Sequence, residues 1–143
     1  MTGLDTTRWE FIDHAADVGI SIRADSLQSL FVAAGRALME WIGPAPSSGV
    51  NCSQTIHLHA EETEELLVRW LQEVLYCFHR HHAYFKGVEE MTLSSNELDC
   101  RMAASVWDET DCANYQEVKA VTYHHLQIKQ DSAGWHATVI LDI

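Results

Sequence analysis

Residues 18–41 read VGISIRADSLQSLFVAAGRALMEW, and the period of the apolar residues changes within this stretch. At its start, Val18, Ile20 and Ile22 alternate with small or polar residues, which is the period of a half-buried strand. Further on, apolar residues recur every three or four positions, as on one face of a helix: Leu27, Leu30, Phe31, Ala34, Leu38 and Trp41. Asp25 or Ser26 is placed to cap this helix, and Gly43-Pro44 should end it. The stretch therefore predicts a strand that leads directly into an amphipathic helix.

The rest of the chain repeats these two patterns. A second amphipathic helix is expected from about Glu62 to His81. Period-two alternation predicts further strands, with turns between them at 94–96 and 131–134 and a polar loop at 108–114; the strands lie at 9–12, around 56–58, 88–93, from 98, 118–129 and 135–140. Two helices and about six strands, without strict alternation, predict an α+β two-layer sandwich: a mostly antiparallel sheet with both helices on one face.

Length and charge limit the classes of protein. The 143 residues correspond to one domain, 1–143, of ordinary size. A net charge of −12 disfavours direct binding of nucleic acid. No apolar run approaches the roughly 18 residues of a membrane span, and the N-terminus lacks a secretory pattern, so we expect a cytoplasmic protein. The four cysteines are expected to be free thiols, because no C-x-x-C pair occurs.

Two places in the chain concentrate oxygen ligands. Asp13-His14-Ala15-Ala16-Asp17 lies between two predicted strands, where functional residues are common, although an aspartate-rich turn would look the same. The last predicted strand leads to Asp142 and the α-carboxylate of Ile143. Such oxygens suit a hard cation such as Mg²⁺ or Ca²⁺, and the alternative is a merely solvated acidic terminus.

A zinc site at Cys77, His79, His81 and His82 is disfavoured. On a helix only residues three or four apart share a face, so these side chains would fan around the axis. The nucleotide-binding and hydrolase signatures G-x-G-x-x-G, G-x-S-x-G and H-E-x-x-H, and the Walker A pattern, are absent from the sequence. Histidines at the end of a helix also complement its dipole, which explains them without a metal.

Two motifs resemble those of one protein family. Residues 9–20, WEFIDHAADVGI, resemble the archease pattern that ends in D-H-T-A-D-[VI]-G-I, and residues 117–124, EVKAVTYH, are similar to that family's E-V-K-A-[IV]-T-Y-H. The intervening S-L-x-x-L-F at 26–31 and the closing Asp142-Ile143 also match, so the resemblance covers nearly the whole chain. One departure is Ala15, which stands where the family has threonine.

The resemblance implies an accessory protein rather than an enzyme. Archeases assist the RtcB-type tRNA-splicing ligase, promoting its guanylylation by GTP and its multiple turnover, so RNA and GTP would be met only through the ligase. The family's metal ligands fall on Asp17, Asp142 and Ile143, which implies a divalent cation, Ca²⁺ or alternatively Mg²⁺ or Mn²⁺. Lys119 carries over as a further functional residue.

Two other functions stay open at this point. One is a general chaperone or modulator of tRNA-modifying enzymes such as a tRNA methyltransferase, which has also been associated with archeases. The other is an independent metal-dependent phosphoesterase, for which His14 is the nearby general base.

Overall fold

The computed structural model describes residues 6–13 and 16–143, so His14 and Ala15 lie outside the described residues. Eleven elements follow one another along the chain: β1 (Arg8–Asp13), β2 (Asp17–Ala24), α1 (Leu27–Ile42), β3 (Asn51–His59), α2 (Thr63–His81), β4 (Ala83–Leu93), β5 (Glu97–Val106), α3 (Glu109–Cys112), β6 (Ala120–Thr122), β7 (Ile128–Asp131) and β8 (Gly134–Asp142). No helix in these ranges is long and apolar enough to cross a membrane.

The strands form two antiparallel sheets. A five-stranded sheet has the order β1-β2-β8-β6, with β7 also paired to β8, and a three-stranded sheet has the order β3-β5-β4. The predicted α+β class with antiparallel pairing is confirmed. The strands number eight among the described residues rather than about six, and they divide between two sheets, because alternation shows which face of a strand is buried but not which strand is its partner.

Both long helices pack against strands of both sheets and against each other. Helix α1 begins as predicted at Ser26, whose hydroxyl accepts a hydrogen bond from Ser29 N at 3.0 Å. At the centre of the core, Trp70 on α2 is fully buried, and its Nε1–H donates to the carbonyl of Phe31 on α1 at 2.8 Å. The Trp70 ring also meets the ring of Phe85 on β4 edge to face, with centroids 5.5 Å apart. One tryptophan therefore ties together both helices and the smaller sheet.

The predicted single strand at 118–129 is wrong. The segment contains two short strands, β6 and β7, and the residues between them turn, with a hydrogen bond from Leu126 N to Tyr123 O of 3.2 Å. His125 adopts a left-handed conformation, φ 53°, which lies outside the β region of a regular strand. Both pieces pair with β8, β7 near its beginning and β6 near its end.

The predicted loop at 108–114 contains the short helix α3. The Asp108 side chain caps it by accepting from the N–H groups of Thr110 and Asp111, and the Asp111 side chain accepts from Asp108 N in return. The predicted turns at 94–96 and 131–134 are confirmed as hairpin connections. The four cysteines are free thiols, as expected.

Candidate functional site

The pairing of β2 with β8 brings two aspartates from opposite ends of the sequence together. Asp17 is the first residue of β2 and Asp142 the last of β8, and the two are direct partners in the register. Directly opposed residues of an antiparallel pair project from the same face, with Cβ atoms typically about 4.5–5.5 Å apart. We call Asp17, Asp142 and the adjoining Ile143 the acidic corner.

The acidic corner lies on the outer face of the five-stranded sheet. The neighbouring pair, Val18 and Leu141, points inward and is buried, so Asp17 and Asp142 point away from the core. Asp17 is half-buried and its Oδ1 atom is shielded from solvent, whereas Asp142 is exposed. Ile143 is half-buried and packs against the edge of the core. One carboxylate is therefore held by its surroundings and the other is open to an approaching ligand.

Lys119 reaches the same corner through its backbone. Its N–H donates to the carbonyl oxygen of Asp142 at 2.8 Å, and the next residue, Ala120, is the register partner of Asp142 on the other side of β8. The EVKAVTYH segment therefore lies directly beside the end of the chain. The sheet brings together four of the five residues predicted for the site, and the fifth, His14, lies outside the described residues.

The donor atoms of the acidic corner fit a hard divalent cation. Asp17 and Asp142 are like charges placed opposite each other, which is unfavourable unless something offsets the repulsion. Their side chains offer oxygen alone, the donor that Ca²⁺, Mg²⁺ and Mn²⁺ prefer. Within residues 6–13 and 16–143, no group of three or more His, Cys, Asp or Glu side chains is arranged to hold a metal ion. A cation at this corner would therefore also need an oxygen of Ile143 and water.

The end of α2 has structural contacts in place of a zinc site. Cys77 is buried, and burial raises the pKa of its thiol to about 11, which disfavours the thiolate form that zinc binds. The His82 ring stacks on Trp107 with centroids 3.9 Å apart, and the His79 ring meets Phe78 at 5.4 Å. These rings close the end of the helix over the core.

A second polar group on the same outer face was missed by the sequence analysis. Arg8, Arg23, His136 and Lys129 lie side by side across four strands at the other end of the five-stranded sheet. They are far apart in sequence and match no motif. The available signal was strand parity, because Arg23 alternates with the buried Ile22 and Ala24, and His136 with the buried Ala137.

Comparisons of this chain with a family model and with known proteins agree on one family. The model of the Archease protein family matches residues 9–143. Protein archease of Pyrococcus abyssi is 30% identical, over 95% of this chain and 99% of its own length. Protein archease-like of Drosophila melanogaster is 28% identical, over 98% of this chain and 93% of its own. The solution structure of protein 1598 of Methanobacterium thermoautotrophicum superposes with a TM-score of 0.72 at 26% identity, covering 94% of this chain and 98% of that one.

Proposed function

This chain belongs to the Archease protein family, and we propose that it is a cytoplasmic accessory protein of RNA processing that activates an RtcB-type tRNA-splicing ligase. It would promote guanylylation of the ligase by GTP and restore the ligase between turnovers. The observation that carries the proposal is the direct register of Asp17 with Asp142 beside the backbone of Lys119. These are the residues on which the family motifs fall.

The acidic corner is the working part in this proposal. The carboxylates of Asp17 and Asp142, with an oxygen of Ile143, would hold a divalent cation, Ca²⁺ or alternatively Mg²⁺ or Mn²⁺. A bound cation supplies positive charge that offsets repulsion between phosphate groups. The strand pair fixes the spacing of the two carboxylates, and the hydrogen bond from Lys119 N fixes the backbone of Asp142. The exposed side of Asp142 leaves the corner accessible to a partner.

The position of the corner suits action on another protein. Asp142 and Lys119 are exposed, and they lie at the end of strands rather than inside a cleft. A partner protein can therefore reach them directly. The net charge of −12 also fits a protein that leaves the tight binding of RNA at physiological salt to the ligase.

A multiple-turnover ligation assay with limiting ligase tests this function. Wild-type protein should increase the number of turnovers and the transfer of labelled GTP onto the ligase, and Asp142→Asn and Asp17→Asn should remove most of the increase. Asp99→Asn is the matched control, since it removes one negative charge from an exposed residue of the other sheet.

Binding of the cation should be measured on the same proteins. Calorimetric titration with CaCl₂, MgCl₂ or MnCl₂ should give at least about tenfold weaker binding in Asp142→Asn than in Asp99→Asn, a difference of about 1.4 kcal/mol. Full stimulation of the ligase by Asp142→Asn would contradict the proposed role of the corner. Turnover of a phosphate ester by the isolated protein would instead indicate a phosphoesterase.

A further inference from the structure

The basic residues at the far end of the outer sheet face form a continuous line. Arg8 on β1 is the register partner of Arg23 on β2, Arg23 is the partner of His136 on β8, and His136 is the partner of Lys129 on β7. Because direct partners project from the same face, all four side chains lie on one surface. We call these four residues the cationic row. Three steps of about 4.8 Å between strands make it about 14 Å long.

The cationic row lies well away from the acidic corner. Arg23 and Asp17 are six residues apart on β2, which corresponds to about 20 Å along the strand. A cavity of 290 Å³ lies beside Arg8 and Arg23, with Glu10 and Ser21 also in its wall. The row therefore offers a recess of its own.

The charge of the row is unusual for this chain. Only 9 lysines and arginines stand against 21 acidic residues, yet three of those cations, Arg8, Arg23 and Lys129, share this one line. Directly opposed like charges such as Arg8 and Arg23 destabilise a sheet. Because such a cluster lowers the stability of the fold, a role in folding does not explain it. A ligand that neutralises the cations does.

Carboxylates near the row neutralise it only in part. Arg23 Nη1 is 3.9 Å from Asp131 Oδ2, and both side chains are about half exposed, so the pair contributes little. By contrast, Arg101 on the other sheet contacts Glu89 at 2.7 Å. Glu10, the register partner of Ser21, lies two residues along β1 from Arg8 on the same face. Asp25 follows Arg23 by two residues and binds Thr6 beside Arg8. Among the described residues, three carboxylates thus flank three fixed cations, and only Asp131 lies within ion-pair distance of one of them.

His136 and Ser21 add neutral hydrogen-bonding groups to the charged ones. The hydroxyl of Ser21 is 3.1 Å from Nε2 of His136. Burial, followed by the charges of Arg23 and Lys129, lowers the pKa of His136, while Asp131 acts in the opposite direction. The two cations are therefore close enough to lower the pKa of the His136 ring. An anion bound between them would raise that pKa.

We infer that the cationic row binds the phosphate groups of a nucleic-acid strand lying across β1, β2, β8 and β7. The guanidinium fork of arginine matches the oxygens of phosphate, and two arginines with a lysine over about 14 Å suit an extended polyanion better than one small ion. The choice of RNA over other polyanions rests on the proposed role in RNA processing. Binding at the row itself depends on neither the cation nor the ligase.

The inference predicts weak, salt-sensitive binding. Three fixed cations that displace counterions from a single strand give a slope of about −2 for log K against log salt. Isolated protein should therefore bind a ten-nucleotide oligouridylate measurably at about 20 mM salt and very weakly at physiological salt. The local line of cations accounts for the binding at low salt, and the net charge of −12 keeps that binding weak.

The test is an NMR titration of isolated ¹⁵N-labelled protein with the oligouridylate, in EDTA and without ligase. Shift changes should centre on Ser21, Arg23 and His136 rather than on Asp17 and Asp142. A double Arg23→Gln/Lys129→Gln variant should bind at least tenfold more weakly, while Arg80→Gln, an exposed arginine at the end of α2, should bind as wild type does.

The remaining arms identify the source of the phosphate. Stronger binding of GTP or inorganic phosphate than of the oligomer would show that the row binds a free phosphate. That result would contradict the proposed binding of a nucleic-acid strand. Stronger binding of a polyglutamate peptide of equal charge would assign it to an acidic protein segment. Unchanged affinity in the double variant, or no binding at low salt, would remove the site. Because no ligase is present, none of these outcomes bears on ligase activation.

Discussion

The acidic corner and the cationic row occupy opposite ends of one sheet face and are built differently. The corner gathers Asp17, Asp142 and the backbone of Lys119 at strand ends, from segments that carry recognisable motifs. The row gathers isolated residues within strands, and no motif marks it. Both depend on β8, whose last residue serves the corner and whose early residues serve the row. A single strand thus places charges of opposite sign where two different ligands can be bound.

Substituting Gly134 should have the largest effect on stability. It should also affect the cationic row but not the acidic corner. Gly134 has φ 122°, and an added Cβ would lie 2.5 Å from the carbonyl oxygen of Ala24. Strain and overlap with backbone should cost roughly 2–4 kcal/mol of unfolding free energy in Gly134→Ala. Because Gly134 begins β8 close to the row, oligouridylate binding should be lost while calcium binding at the distant corner persists.

Gly49→Ala is the matched control for this substitution. Gly49 also has a positive φ, 71°, but no atom lies within 4 Å of an added Cβ. Its cost should be limited to backbone strain of about 1–2 kcal/mol. Urea denaturation of both variants checks the difference, and equal losses of stability would show that the contact with Ala24 is relieved by movement of the hairpin.

Neutralising Asp142 should show what the corner gains from a cation. At a calcium concentration one hundred times Kd, binding should add about 2.7 kcal/mol to the stability of the wild type. Asp142→Asn should lose most of that gain. In EDTA the order should reverse, because removing one of two opposed carboxylates should stabilise the sheet by about 0.2–1 kcal/mol.

Thermal unfolding with EDTA and with calcium measures both effects. Asp99→Asn serves again as the control for net charge, and its response to calcium should equal that of the wild type. If calcium raised the Tm of Asp142→Asn as much as that of the wild type, the ion would bind at a site other than the acidic corner.

The sequence predicts the local parts of the fold well. Both helices, the Ser26 cap and the two hairpin turns follow from periods and turn residues, which are local properties. The division into two sheets depends on long-range pairing that alternation does not encode. The wrong prediction of one strand at 118–129 has a local cause. His125 adopts a left-handed conformation, which a histidine in the sequence does not indicate.

The site residues show the same division. The motifs identified Asp17, Asp142 and Lys119 separately, but only the register of β2, β8 and β6 shows that they meet. The cationic row was missed because its four members are ordinary single charges on four different strands. Strand parity predicts which face each one occupies, and their alignment requires the register.

The pKa values of two histidines should be shifted in opposite directions from the ordinary value. The pKa of His136 is lowered by burial, then by Arg23 and Lys129, with Asp131 opposing them. That of His57 is raised by its hydrogen bond to Asp99. In the folded protein, NMR titration should place the midpoint of His136 below the ordinary value of 6.5 and that of His57 above it.

Stability should follow the same signs. The unfolded chain binds a proton at His136 before the folded protein does, so the stability that His136 contributes is present above about pH 6.5 and is lost as the pH falls toward its folded pKa. The stabilising contribution of His57 is complete at low pH and is lost as the pH rises through its raised pKa. Oligouridylate should raise the midpoint of His136 and leave that of His57 in place. An unmoved His136 in the presence of bound oligomer would place the phosphate away from the ring.

The smallest effect should come from relieving the repulsion inside the cationic row. Arg8 lies opposite Arg23, and its Nη1 makes a long hydrogen bond of 3.4 Å to the carbonyl of Thr6. Arg8→Gln removes one of two opposed charges, so the unfolding free energy should rise by a few tenths of a kcal/mol at low salt. At 1 M salt, where the screening length is about 3 Å, the gain should vanish. Urea denaturation at both salt concentrations measures the difference, with Arg80→Gln as a control that lacks an opposed cation. A loss of stability in Arg8→Gln that persists at high salt would mean that packing of the Arg8 side chain outweighs repulsion, and that the row is not held at the expense of stability.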